Sequence, residues 1–132
     1  MISTQAVADW LNTQSFGVKL HWRPGPEQPE FDINNTSATV TRNGGQGLLA
    51  EGTEDDYTLL LLVRSGRERL GELEVAAEAI DRVMLLVGNE MIWGTYVQFV
   101  DRLGAPPLPD YESPERVLMG AQYQVREGRE HG

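Results

Sequence analysis

Residues 57–87 read YTLLLLVRSGRERLGELEVAAEAIDRVMLLV, an apolar run followed directly by an amphipathic helical pattern. The first part, residues 57–65, holds five consecutive apolar residues from Leu59 to Val63, and this predicts a strand covered on both faces. The second part, residues 67–87, places apolar residues at helical spacing, and this predicts a long helix with one buried side. The expected buried stripe is Leu70, Leu73, Ala77, Ile80 and Met84. Together they predict a long helix packed on a sheet.

Shorter elements are expected on both sides of this strand and helix. Residues 3–14 are predicted to form a short helix, and period-two alternation predicts strands over residues 16–22 and 117–126. A strand over 36–43 would turn Ala38 and Val40 inward and lie near an edge, and a long strand is expected over 91–103. Gly88 and Asn89 are expected to end the long helix, and Gly94 to mark a bulge or the close approach of another backbone.

The element order is therefore α-β-β-β-α-β-β, which predicts an α+β fold in one domain covering residues 1–132. We expect a mostly antiparallel or mixed sheet of four to five strands, with one long and one short helix packed on one face. Two long loops are expected, over 43–56 and 104–115, and a disordered polar tail over 127–132. The first loop joins a glycine-rich stretch to an acidic one and is expected to be mobile. Long loops of this kind are often functional.

Composition excludes several classes of function. The 132 residues carry 11 Lys and Arg against 20 Asp and Glu, a net charge of −9, and contain no cysteine. A disulfide framework, thiolate metal sites and cysteine nucleophiles are therefore excluded. The acidic balance also argues against a nucleic-acid grip, which needs a basic surface. No targeting signal and no apolar run long enough for a bilayer is found, so a soluble protein made in a cytosol is expected.

Motifs for catalysis are absent from the sequence. There is no Gly-x-Ser-x-Gly, no phosphate-binding Gly-x-x-x-x-Gly-Lys and no His-Glu-x-x-His, so neither an enzyme nor a cofactor is expected. The acidic run Glu54-Asp55-Asp56 could bind a divalent cation, but a solvated loop explains it better. His21 is interpreted as an exposed strand residue, with acid–base work as the alternative.

Two residues raise the question of a subunit interface. Arg64 closes the apolar strand just before the long helix. Its charge is either held at the strand end by snorkelling, paired with an acid of the helix, or shared across an interface. Trp93 is interpreted either as a core residue or as part of a subunit contact, where aromatic residues are enriched.

The layout as a whole resembles the tail terminator, or tail completion, proteins of long-tailed, siphovirus-type bacteriophages. The similarity covers residues 3–126 and depends on element order, length and two arginine landmarks rather than on one motif. Its parts are the opening helix 3–11, the Pro-rich segment 24–29, the β-run 57–64 ending in Arg64, the helix ending at 80–84, the segment 104–110 and the strand 116–125 led by Arg116. The many prolines of 105–114 depart from the family's expected glycine-containing turn.

The resemblance implies a structural virion protein without enzymatic activity. Such proteins form a homohexameric ring on the head-proximal end of the tail, after assembly in the bacterial cytoplasm. The ring stops polymerisation of the major tail tube protein, presents the joining surface for the head-completion or connector protein, and lets genomic DNA pass its pore without specific binding. Under this interpretation Gly45, Gln46, Glu54 and Asp55 are candidates for contact with a partner or the lumen. Arg64, Trp93 and Arg116 are candidates for the subunit interface.

Three alternatives remain open. Another small head–tail connector or head-completion protein of the phage neck would share this size and charge. An acidic regulatory protein could inhibit a basic partner by mimicking nucleic acid, although its acids would be expected in regular rows. A small-ligand binding module or enzyme of α+β type would need a pocket with convergent polar groups, for which the sequence offers no cluster.

Overall fold

The computed structural model describes residues 2–25, 36–44, 55–104, 109–111 and 114–128. Within these residues the chain forms two α-helices and seven strands. In chain order they are α1 (Thr4–Asn12), β1 (Trp22–Pro24), β2 (Ser37–Gly44), β3 (Asp55–Gly66), α2 (Leu70–Met84), β4 (Gly88–Ile92), β5 (Thr95–Leu103), β6 (Asp110–Tyr111) and β7 (Arg116–Gly128). A single 3-10 turn, Arg67–Arg69, leads into α2.

All seven strands belong to one mixed sheet in the order β1-β2-β3-β7-β5-β4, with β6 beside the start of β7. The pairing of β1 with β2 is parallel and the other described pairings are antiparallel. The α+β prediction is confirmed, but the sheet is larger than the four to five strands expected. It is larger because the predicted strand over 91–103 is a hairpin and because short β6 lies inside the predicted loop 104–115.

The central strand β3 buries one face of its apolar run. Leu59, Leu61 and Val63 are at most 3% exposed, whereas Leu60 and Leu62 between them are only half-buried. The expectation that both faces of this run are covered is therefore correct for one face only. Alternation along β3 shows that the two helices cover a single side of the sheet.

The core lies between this covered side and the helices. The predicted α2 stripe is confirmed, with Leu73, Ala77, Ile80 and Met84 buried and Leu70 partly buried against them. Helix α1 adds three buried side chains to the same cluster: Val7, Ala8 and Leu11. The sheet adds Ala38 and Val40 from β2, as predicted, and the alternating residues 117, 119, 121, 123 and 125 from β7.

Helix α2 ends a turn earlier than the predicted boundary at Gly88 and Asn89. Its last residue is Met84, and Gly88 and Asn89 already belong to β4. Stopping early lets Val87 return to the core at 6% exposure. Leu86 lies in the turn that follows α2, where its side chain is 79% exposed.

Trp93 and Gly94 form the two-residue turn of a β4–β5 hairpin. Their φ angles are +58° and +85°, the left-handed pair that a type I′ turn requires. Gly94 therefore marks a turn rather than the predicted bulge. The pairing of β5 with β7 does shift register, but between Val97 and Phe99. The hairpin was missed because tryptophan is an unusual residue at the first turn position.

The remaining boundaries differ from the prediction near glycines and strand ends. Only Trp22 of the predicted strand 16–22 is in a strand, because Gly17 adopts φ +82° and the chain runs irregularly beside α2. The predicted loop 43–56 is too long at both ends, because its first two residues belong to β2 and its last two belong to β3. The β2–β3 connection is residues 45–54. The predicted tail begins late as well, since Glu127 and Gly128 belong to β7.

Candidate functional site

Arg64 and Arg116 lie together on the side of the sheet that faces away from α2, here called the open face. Arg64 pairs with Leu118 of β7, and Arg116 lies two residues earlier on the same strand, opposite Gly66. Diagonal neighbours of this kind are about 7–8 Å apart. Both side chains are half-buried and both interact with other groups of the chain. The structure thus brings two of the three predicted interface residues to one end of one face.

Trp93 lies elsewhere, in the turn between β4 and β5. Its side chain is 4% exposed, and its ring meets that of Trp10 edge to face, with centroids 5.4 Å apart. This contact fastens α1 to the β4–β5 turn. So little of the ring is exposed that Trp93 offers almost no surface to a second subunit, and the core interpretation fits its position better.

Of the four residues predicted to contact a partner or the lumen, only Asp55 is among the described residues. Gly45, Gln46 and Glu54 lie outside the described residues, and Asp55 begins β3 opposite Glu127. The next acid, Asp56, forms an ion pair on the open face with Arg126, with Nε 2.9 Å from Oδ1.

Apolar side chains are exposed where α2 turns into β4, a group that the sequence analysis missed. Leu85, Leu86 and Met91, here called the margin cluster because they flank the same margin of the sheet, are 41%, 79% and 62% exposed. The signal was available in the apolar run 83–87, because it supplies more apolar residues than one helix side can bury. Ile92 packs against the core, so its neighbour Met91 points to the open face, whereas Leu85 and Leu86 follow directly on α2. Exposed apolar side chains along one sheet margin offer area to a partner.

The margin cluster borders an unpaired sheet edge. Among the described strands β4 pairs only with β5, so its other side is an edge of the sheet. Asn89 interrupts this edge with φ +50°, and Glu90 places a carboxylate there that accepts a hydrogen bond from the Gly88 amide at 3.2 Å. An edge with a left-handed residue and a carboxylate limits indiscriminate strand pairing. The margin therefore combines apolar area with restricted pairing geometry.

A polar network fastens α2 to the sheet beside this margin. Asp81 of α2 receives a hydrogen bond from the Tyr123 hydroxyl at 2.9 Å and forms an ion pair with Arg102 of β5. Burial of Tyr123, reinforced by its hydrogen bond to the Asp81 carboxylate, raises the pKa of the phenol well above its usual range. The network holds the C-terminal part of α2, which leads into Leu85 and Leu86, against the sheet.

Other features of the described ranges give no chemistry of their own. Across these ranges, no group of three or more carboxylate or imidazole side chains is placed to hold a metal ion. His21 is exposed, one residue before β1. Neither α1 nor α2 is long and apolar enough to cross a membrane. In comparisons with known proteins, no family model matches the chain, and no curated protein matches it.

Proposed function

We propose that this protein is a structural component of a bacteriophage tail, and that it forms a ring capping the head-proximal end of the tail tube. In this role the ring stops polymerisation of the tube protein and provides the surface to which the head connector joins. The proposal rests on the layout of residues 3–126 described above, together with the association surface at the β4 margin.

The margin cluster is the observation that carries the proposal. Leu86 is 79% exposed and Met91 62% exposed beside a sheet edge. Apolar area left in contact with water is unfavourable in free energy, which argues against a chain that functions as a monomer. A subunit contact that covered these side chains would remove them from water. Ring closure requires heterologous contacts, in which the margin of one copy meets a different surface of the next.

The charge of the chain fits a pore through which DNA moves. The net charge of −9 repels the phosphate backbone, so that DNA would slide rather than bind. The described cations Arg102 and Arg126 are held in ion pairs with Asp81 and Asp56, which reduces their attraction for phosphate.

The test is the native mass of the purified protein across a concentration series, with negative-stain images of any large species. We expect a six-fold ring with a central hole, either in solution or on purified tail tubes to which the protein is added. Tube protein polymerised in its presence should stop growing at the capped end.

Variants connect the ring to the margin cluster. Leu86→Ser combined with Met91→Ser should abolish ring formation and capping, while leaving the melting temperature nearly unchanged because both side chains are already exposed. The matched control is Tyr111→Ser, a change at a 50% exposed side chain of β6 outside this margin. A chain that stays monomeric at every concentration and leaves tube growth unaltered would refute the proposal.

A further inference from the structure

A cleft of about 290 Å³ opens at the end of the sheet where β2 begins and β3 ends. One wall is the irregular segment 17–20 and the other is the start of α2. Its lining residues are Gly17, Val18, Lys19, Leu20, Thr36, Ser65, Arg69, Glu72 and Leu73. Segment 17–20 packs closely on α2, since a Cβ added to Gly17 would lie 3.1 Å from Val75 Cγ1.

The polar groups of the cleft favour an anionic occupant. Lys19 and Arg69 bring two positive charges to its walls, against the single carboxylate of Glu72, and all three side chains are exposed. Arg69 Nη1 reaches Thr36 Oγ1 only at 3.5 Å, which leaves its other guanidinium donors available to an incoming acceptor. Ser65 is 1% exposed and donates its hydroxyl to the Gly66 carbonyl at 3.0 Å. The cleft is therefore a locally positive site on a chain whose net charge is −9.

Two acids, Asp55 and Asp56, begin β3 at the end of the strand opposite the cleft. Residues 51–56 carry Glu51, Glu54, Asp55 and Asp56, four acids in six residues. The last two begin β3, whereas Ser65 lies near its other end. Nine residues separate Asp56 from Ser65, which corresponds to about 30 Å of strand.

The acidic stretch cannot reach the cleft of its own chain. Glu51 precedes Asp55 by four residues, so a fully extended chain places it at most about 14 Å from that strand end. The distance to the cleft is about twice as long. Complementary charges held too far apart to meet within one molecule can still meet between two molecules arranged head to tail.

We propose that the cleft between segment 17–20 and α2 binds the acidic stretch 51–56 of a neighbouring copy of this chain. Lys19 and Arg69 pair with its Glu51, Glu54 and Asp55 carboxylates, since Asp56 is held in its ion pair with Arg126, and Glu72 limits the affinity by repulsion. This contact would be one of the heterologous contacts of the ring and in that respect rests on the proposed function. Because the ion pairs form at an exposed site, the contact weakens as salt concentration rises.

The first experiment measures the cleft by itself. A dye-labelled peptide with the sequence of residues 49–57, LAEGTEDDY, is titrated with the protein while fluorescence anisotropy is recorded. Changing Lys19→Gln and Arg69→Gln together should weaken binding about tenfold, since each exposed ion pair accounts for about threefold. Glu72→Gln should tighten binding about threefold. The matched control Arg82→Gln, an exposed cation on α2 outside the cleft lining, should leave it unchanged.

A control peptide with the four acids replaced by their amides separates charge from other contacts. Binding of this peptide as tightly as the acidic one would overturn the inference. Equal binding of the acidic peptide to the wild-type protein and to the variant lacking both cations would overturn it as well.

The second experiment reverses charges across the contact. Arg69→Glu should reduce ring formation in native mass measurements, and combining it with Glu54→Arg in one chain should restore it. Rings that persist in Arg69→Glu, together with a negative peptide titration, would refute the cleft contact while leaving the proposed function intact. A wild-type chain that neither forms rings nor caps tubes would refute the proposed function, and the peptide titration would then decide on the cleft alone.

Discussion

Leu60 and Leu61 are sequence neighbours on β3 whose side chains lie on opposite faces of the sheet. Leu61 is 3% exposed, pairs with Val40 and Ala121 in the flanking strands, and lines a small pocket of about 10 Å³ together with Ile80. Leu60, on the open face, is only half-buried. Truncation of each to alanine therefore measures how unequally the two faces of the sheet contribute to stability.

The expected loss for Leu61→Ala is about 3–4 kcal/mol in the free energy of unfolding. Removal of three buried carbons accounts for about 2.4 kcal/mol, at about 0.8 kcal/mol each. The enlarged void adds about 1 kcal/mol, because a rigid strand between two partners closes it only in part. Leu60→Ala should cost about 1 kcal/mol, since much of its side chain is already in contact with water.

Urea denaturation followed by circular dichroism, with equal slopes for all three proteins, measures both losses. Thermal midpoints should fall by about 12 °C for Leu61→Ala and about 4 °C for Leu60→Ala, at roughly 3–4 °C per kcal/mol for a chain of this length. Equal losses would show that both faces are buried. A larger loss at Leu60 would show that the register of β3 is displaced by one residue.

Three further predictions concern the turn, the polar network and α1. Gly94→Ala should cost about 1 kcal/mol because φ is +85° there although a Cβ would meet nothing within 4 Å, whereas Gly71→Ala in α2 should be neutral or stabilising; urea denaturation of both variants compares them. Folding raises the pKa of Tyr123, so this phenol contributes fully to the free energy of unfolding below its ordinary pKa of about 10, and the contribution is lost as pH rises above that value. Thermal midpoints between pH 8 and 11 should therefore fall less steeply in Tyr123→Phe than in the wild type. Asn12→Ala should cost about 1–2 kcal/mol, because the Asn12 amide both donates to and accepts from the β1 backbone, at 3.1 and 2.8 Å; an unchanged midpoint would show that α1 is held by its apolar contacts alone.

Local sequence patterns predicted the elements whose own residues impose a period. The stripe on α2 and the alternation along β7 were read correctly because 3.6- and 2-residue spacings follow from backbone geometry. The β4–β5 hairpin was missed because a Trp-Gly turn carries no usual turn signal. The end of α2 was also misplaced, since Leu85 and Leu86 continue the apolar pattern into a turn where nothing in the described part of the chain buries them.

The candidate surfaces could be predicted from the sequence only in part, because they depend on which residues the fold brings together. Sequence identified Arg64 and Arg116 as landmarks, but only the β3–β7 register makes them diagonal neighbours on the open face. Trp93 could not be assigned to core or interface until its edge-to-face contact with Trp10 was known. The cleft is lined by residues of a loop, two strand ends and the start of a helix, so it could not be predicted from any local sequence pattern.

The sequence by itself determined the α+β class, the acidic charge and the central strand–helix pair, because these depend on composition and on periods within single segments. Tertiary structure decided which face of β3 is buried, which strand lies at the margin, and that a cationic cleft and the acids Asp55 and Asp56 lie at opposite ends of β3. These features depend on pairing between residues far apart in the chain, such as Arg64 with Leu118. The physical reason is that side-chain burial and surface charge are properties of packed neighbours, and only the folded chain brings those neighbours together.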